Sequence, residues 1–319
     1  MVVIDTSHRW KRILSFASIY VIWGSTYLAI RYGIESFAPY RMMGTRSLIA
    51  GAVLYLWGRR QSSERLEAVH WRSAFLLGAL FFLGGHGSLA WAEKRIPSGV
   101  ASLLVATIPV WLALFELFLG KVRFTPRLVV GLLLGFSGVV FLTEPAELLP
   151  GESMDLLGAG VVVLSSMSWA VGTVLSRRIP LPRSSILFSG MNLLAGGALL
   201  LAASFLAGEV PPSPEPSLLS IASVAYLIVF GSIVGFVAYM WLLRVEAASK
   251  VGTYAFVNPA IAVFVGWLGG GEALSGRILV ATALMVSGVA ILVTSKHQKE
   301  DERDDRAHLA RTDTARESG

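Results

Sequence analysis

The chain has 319 residues, of which 54% are hydrophobic and only 15% charged, with a formal net charge of +6 and no cysteine. Ordinary soluble domains are roughly a quarter charged, so this composition argues for a membrane protein and against a soluble enzyme or binding module. The missing thiol excludes disulfides, thiolate catalysis and cysteine-based metal sites.

A predominantly apolar run of about 20 residues crosses a bilayer core roughly 30 Å thick. The first such run, 13–33, follows His8, Arg9, Lys11 and Arg12. It lacks the small-residue cleavage site of a signal peptide and reads as a retained helix. Further runs fall at 39–57, 73–92, 97–119 and 126–143, then at 155–176, 184–207, 218–243, 248–269 and 276–295. The expected fold is an all-α membrane protein of ten transmembrane helices, five per half. Residues 1–12 form a cytoplasmic N-terminus, 13–144 a first repeat, 155–295 a second repeat and 296–319 a disordered cytoplasmic tail.

The positive charge is not gathered on one nucleic-acid-binding face; it alternates between loops, which is a topology signal. Loop 58–72 carries Arg59, Arg60, Arg65 and Arg72; loop 120–127 carries Lys121, Arg123 and Arg127; loop 177–183 carries Arg177, Arg178 and Arg183. The loops at 144–155 and 208–217 carry acids and no Lys or Arg. Both termini are therefore expected in the cytoplasm. Lys94 and Arg95 run against the trend.

The pattern occurs twice. Ala90-Trp91-Ala92-Glu93-Lys94 through Pro109 is echoed by Met240-Trp241-Leu242-Leu243-Arg244 through Pro259, Ser137-Gly138-Val139 by Ser287-Gly288-Val289, and Arg127 by Arg277. Trp23 and Arg31 return as Trp169 and Arg177. With five helices per unit the second half starts on the opposite side of the membrane, so the two repeats are expected to be inverted copies around a central cavity, a plan common in secondary transporters.

Chemistry-bearing residues are few. Pro109 and Pro259 fall mid-span at matching places and are expected to act as hinges rather than simple packing kinks. Arg46 is the deepest cation; it must face the bundle interior or a wet cavity, as a structural charge or a contact for substrate anions. Glu116 is the one acid well inside a span, seven residues after Pro109 and on the same helical face. It is a possible proton site, or a side chain that snorkels to the nearer interface. His86, in Gly84-Gly85-His86-Gly87, is either a proton relay or a packed, hydrogen-bonded histidine. Tyr20, Trp23 and Tyr27 form a mid-span helical stripe, better read as a cavity wall than as an interfacial belt. Gly131-xxx-Gly135 and Gly231-xxx-Gly235 permit close helix contact. No HExxH motif, GxSxG elbow or P-loop is present, which argues against an enzyme and against an ATP-driven pump.

Ile22-Trp23-Gly24-Ser25-Thr26-Tyr27-Leu28-Ala29, Arg46 in the second helix, and Ala101-Ser102-Leu103-Leu104-Val105-Ala106-Thr107-Ile108-Pro109 resemble the EamA-type transporters of the drug/metabolite transporter superfamily. Asn258-Pro259 through Gly271-Glu272 and Ser287-Gly288-Val289 resemble the same unit again, so the likeness covers about 13–295. One departure is that the Gly-Glu ending the fourth helix of such a unit is Gly120-Lys121 here. The resemblance implies a ten-helix basket in which helices one to four and six to nine line the cavity. It also implies export of small metabolites, including amino acids and their derivatives, from bacteria. Carried onto this chain, it makes Trp23, Thr26, Arg46, His86, Trp91, Trp169, Thr173, Tyr239, Tyr254 and Asn258 the candidate substrate contacts. The expected protein is a monomeric inner-membrane exporter of small amphipathic metabolites working by alternating access, without cofactor, metal or nucleic-acid partner. A homodimer is the other arrangement considered. The competing readings are a proton-driven multidrug efflux protein using Glu116 or His86, and a non-transporting membrane enzyme or scaffold.

Overall fold

The computed structural model describes residues 6–96, 101, 104–119, 125–142, 155–211, 215–270 and 276–294. The tail, the acidic stretch before Asp155, Lys121, Arg123, Gly120-Lys121 and Gly271-Glu272 lie outside these residues. The described residues are helical, with no strand among them. In chain order they form α1 (Thr6–Ile34), α2 (Pro39–Gln61), α3 (Ala68–Gly78), a π-helical segment (Ala79–Gly87), α4 (Ser88–Ala92), α5 (Ile108–Phe118) and α6 (Pro126–Leu142). There follow α7 (Leu156–Leu175), α8 (Ser185–Leu206), α9 (Leu218–Tyr226), a second π-helical segment (Leu227–Gly235), α10 (Phe236–Val245), α11 (Ala248–Val251), α12 (Tyr254–Gly270) and α13 (Gly276–Thr294).

Among the described residues five stretches are long and apolar enough to cross a membrane: Arg9–Ile34, Ala68–Ala92, Leu156–Leu175, Ser185–Leu206 and Leu218–Val245. Helices suit that setting because they satisfy their own backbone groups where no water is available. Their starts are marked by capping. Pro39 occupies the first turn of α2, where its missing N–H costs nothing. Asp155 accepts from Gly158 N at 2.9 Å, Ser184 from Leu187 N at 3.2 Å and Ser217 from Ser220 N at 3.1 Å, each a side-chain N-cap. Large apolar side chains such as Leu164 (63% exposed) and Phe205 (85%) point outward. In water such a surface would be a liability; against lipid it costs nothing.

Glycines set the closest helix contact. Gly44, Gly51 and Gly58 of α2 recur every seven residues and meet α8 in antiparallel order, opposite Leu201, Leu194 and Leu187. A Cβ on Gly58 would lie 2.7 Å from Leu187 Cα, and one on Gly190 would lie 2.4 Å from Tyr55 N. Only a bare backbone lets these helices approach so closely. The same device joins α6 to α13, where a Cβ on Gly288 would lie 2.5 Å from Gly135 N. Gly131-xxx-Gly135 therefore packs helices within the bundle, as its spacing allowed. Gly231 and Gly235 serve differently, since both face α1, where a Cβ on Gly235 would strike Trp23 Nε1 at 2.5 Å.

Polar ties gather at the two ends of the bundle. At one end Glu64 accepts from Arg183 N at 2.9 Å, Arg244 donates to Pro182 O at 2.7 Å and Glu246 pairs with Lys250 at 3.1 Å. At the other, the Glu209 carboxylate accepts from Tyr40 N at 3.1 Å and Arg41 N at 3.0 Å, where the α2 dipole favours an anion. There too Arg95 Nε meets Asp155 Oδ2 at 2.8 Å. Asp155 is half-buried, and its carboxyl is held below the usual carboxylate range, first by the Gly158 N–H and then by the Arg95 guanidinium.

Candidate functional site

A cavity opens inside the bundle between α1, α2, the two π-helical segments, α7 and α12. Its empty space, counted out through the mouth, is about 620 Å³, of which about 60 Å³ is open to the centre of a water molecule. One water needs roughly 10–15 Å³ on the latter measure, so the site is narrow but has room for a few waters.

The π-helical segments are the unusual local feature. Ala79–Gly87 and Leu227–Gly235 are each nine residues long and occupy the third long apolar run of each half. π-Turns shift the side-chain register and are frequent at functional sites. Both segments carry glycines that bring bare backbone to the cavity. The Gly231 carbonyl accepts from Trp23 Nε1 at 3.2 Å, and the Gly85 carbonyl accepts from Ser165 Oγ at 3.0 Å. His86, on the first segment, stacks on Trp169 with ring centroids 4.7 Å apart.

Seven of the ten residues expected at the substrate site line this cavity: Trp23, Thr26, Arg46, His86, Trp169, Tyr254 and Asn258. Arg46 is 4% exposed. Its Nη2 lies 3.4 Å from His86 Nδ1, and its Nε has no hydrogen-bond partner. Asn258, with its amide turned to satisfy both neighbours, donates to Tyr254 O at 3.0 Å and Tyr20 O at 3.1 Å, tying α12 to α1. Tyr239 and Thr173 are not wall residues but stand one layer behind. Tyr239 OH accepts from Trp169 Nε1 at 3.0 Å and bonds Thr173 Oγ1, so burial of these hydroxyls is compensated. The rings of Trp23, Trp169, Tyr239 and Tyr254 form an aromatic layer. Beside it Tyr20 OH meets Thr253 Oγ1 at 2.6 Å. Trp91 is elsewhere, with the Arg95 guanidinium 5.0 Å above its ring. It lies in α4, beyond the register shift, and is not among the cavity-lining residues.

Tyr27, Ser165, Ser166 and the two π-segment glycines also line the cavity. Tyr27 was visible in the helical stripe with Tyr20 and Trp23. Ser165 and Ser166 are a polar pair inside an apolar run, four and three residues before Trp169, and that spacing was their only signal.

The prolines differ in local structure. Pro109 is in the first turn of α5, after a break at Ala106-Thr107, so it replaces no internal hydrogen bond. Pro259 lies inside α12, six positions after a break at Gly252-Thr253, and removes one. Glu116 does not snorkel. It is 7% exposed, away from the cavity wall, and its Oε2 has no partner.

Apolar helices turned outward around a polar, aromatic-walled cavity define a polytopic membrane protein of the transporter class. The profile of the EamA-like transporter family matches residues 10–144 and again 156–294, and the chain belongs to that family. It is similar to the "Uncharacterized inner membrane transporter YedA" of Escherichia coli (strain K12), with 36% identity over 283 residues, covering 88% of this chain and 90% of that protein. It is 27% identical to the "Uncharacterized transporter YoaV" of Bacillus subtilis (strain 168), over 88% of this chain and 95% of the relative. "Protein PecM" of Dickeya dadantii (strain 3937) is 28% identical over 85% and 88%. A crystal structure with 22% identity superposes with a TM-score of 0.73, covering 91% of this chain and 98% of the other, a likeness of fold alone. Family and relatives are transporters, not enzymes.

Proposed function

We propose that this chain is a secondary transporter that exports small amphipathic metabolites across the bacterial inner membrane by alternating access. The two halves, 13–144 and 155–295, act as inverted five-helix repeats, and both termini are cytoplasmic. The observation that carries this reading is the cavity itself. It draws its wall from both family matches, with Trp23 and one π-helical segment facing Trp169 and the other. An immobile scaffold has no use for a water-sized cavity lined by a cation that has no counterion among the described residues. The inner-membrane placement rests on the printed name of the Escherichia coli relative. Amino acids and related compounds are the substrate class that the family resemblance implies.

Proton coupling is a second reading with one observation behind it. Glu116 is a buried acid with a partnerless oxygen, a natural place for a proton to bind and leave. The chain is expected to work as a monomer, since its glycine seams are used inside the bundle.

Purified protein in liposomes should exchange external labelled substrate for internal unlabelled substrate, and Trp23→Ala or Asn258→Ala should slow that exchange without preventing insertion. If no compound in a broad metabolite panel is exchanged, and cells with and without the gene export identical metabolites, the transport reading fails.

A further inference from the structure

Arg46 is a buried cation with no counterion among the described residues. Its Nε has no hydrogen-bond partner, Nη2 reaches only the His86 ring nitrogen, and a side chain on Gly231 would begin 4.0 Å from Nη1. No acid among the described residues pairs with Arg46, and the cavity wall contains no Asp or Glu. Glu93 follows the end of α4 and is not a wall residue. The small hydroxyls do not change the balance, because Thr26, Ser165 and Ser166 donate to the carbonyls of Trp23, Gly85 and Leu104. The cavity therefore offers one fixed positive charge on a guanidinium fork that no wall acid neutralises, and flat aromatic walls. A guanidinium held this way in a low-dielectric bundle is strongly stabilised by an arriving carboxylate, which it grips in a bidentate manner. An ammonium group placed beside it is repelled and finds no carboxylate on the cavity wall.

We propose that the cavity selects a small organic monoanion: a carboxylate docks on Arg46 while an apolar, planar body lies against Trp23 and Trp169. The zwitterionic amino acid of the same skeleton is discriminated against. This rests on that cavity being the substrate site, and it replaces the amino acids that the family resemblance implies with carboxylates that carry no ammonium group.

The test is a matched series on the purified full chain in nanodiscs, using 3-phenylpropionate, its uncharged amide and phenylalanine, with binding measured by calorimetry. The carboxylate should bind at least about 10-fold more tightly than either relative, the scale of one charge-assisted hydrogen-bond pair. Arg46→Gln should abolish that preference, weakening carboxylate binding at least about 10-fold more than amide binding. Arg46→Lys keeps a charge in the bundle and should weaken carboxylate binding about 10-fold, because an ammonium lacks the planar fork; it carries the test if the Gln variant fails to assemble. Phenylalanine binding as tightly as phenylpropionate, phenylpropionate failing to bind at millimolar concentration, or a preference that survives in both variants overturns the proposal. Exchange across liposomes separates the two readings. Arg46-dependent anion binding without exchange leaves the site standing and removes transport, whereas exchange of phenylalanine with no anion preference does the reverse.

Discussion

Trp23 of α1 meets Trp169 of α7 edge to face, with ring centroids 5.7 Å apart and planes at 85°. Each comes from a different family match, yet the two share one wall, and each indole N–H has its own acceptor, Gly231 O for Trp23 and Tyr239 OH for Trp169. Edge-to-face pairs of this kind contribute about 0.5–1.5 kcal/mol beyond the area they bury. Trp23→Phe should therefore cost about 1 kcal/mol of stability, the net value of its lost hydrogen bond, and Trp23→Ala about 3–5 kcal/mol. A double-mutant cycle with Trp169→Ala, read from denaturation in detergent, should show coupling; strictly additive losses would mean that the rings touch without supporting each other.

The prolines should not be equivalent. Pro259→Ala restores an internal hydrogen bond in α12 and should stiffen it, so exchange across liposomes slows while insertion is unaffected. Pro109→Ala changes a first-turn position where proline costs nothing, and its effect should be smaller. Parent rates for both variants would show that neither proline is a hinge.

Loop charge forecasts orientation. A periplasm-active reporter fused after Leu149 or Val210 should be active, and one fused after Ser62 or in the tail should be silent. The opposite pattern would reverse the assignment of the two bundle ends.

The Arg95–Asp155 tie should be sensitive to acid. The folded carboxyl is depressed by the Gly158 N–H and the Arg95 guanidinium. Its contribution is therefore present above the unfolded value of about 3.9 and lost as pH falls through the folded value. Asp155→Asn should lower the melting temperature at pH 7, and the gap to the parent should narrow at pH 3. A gap that is the same at both values would assign the effect to capping shape rather than charge.

Much was legible because a bilayer imposes its constraint locally. Span positions follow from how many consecutive residues tolerate hydrocarbon, and Trp23, Arg46, His86 and Trp169 stood out because polar or aromatic groups deep in a span need an inward-facing reason. The seven-residue spacing of Gly44, Gly51 and Gly58 was also present in the sequence, but only the α8 backbone lying against it gives it meaning. Facing is a different matter. A π-helical turn rotates everything after it relative to an α-helix, and no hydropathy pattern announces where Ala79–Gly87 or Leu227–Gly235 begins. That register shift accompanies the placement of His86 in the wall and Trp91 outside it, and sets the close-contact motif Gly231-xxx-Gly235 against Thr26 and Trp23 of α1. Tyr239 and Thr173 illustrate the same divide. Their polarity and span membership were local properties, but hydrogen bonds among Trp169, Tyr239 and Thr173 hold them behind the cavity. The amino-acid order alone determined that this chain crosses membranes in two related halves with a few inward polar groups. Which of those groups meet across a shared cavity was decided by helix rotation and long-range packing, because side-chain facing depends on neighbours far away in the sequence.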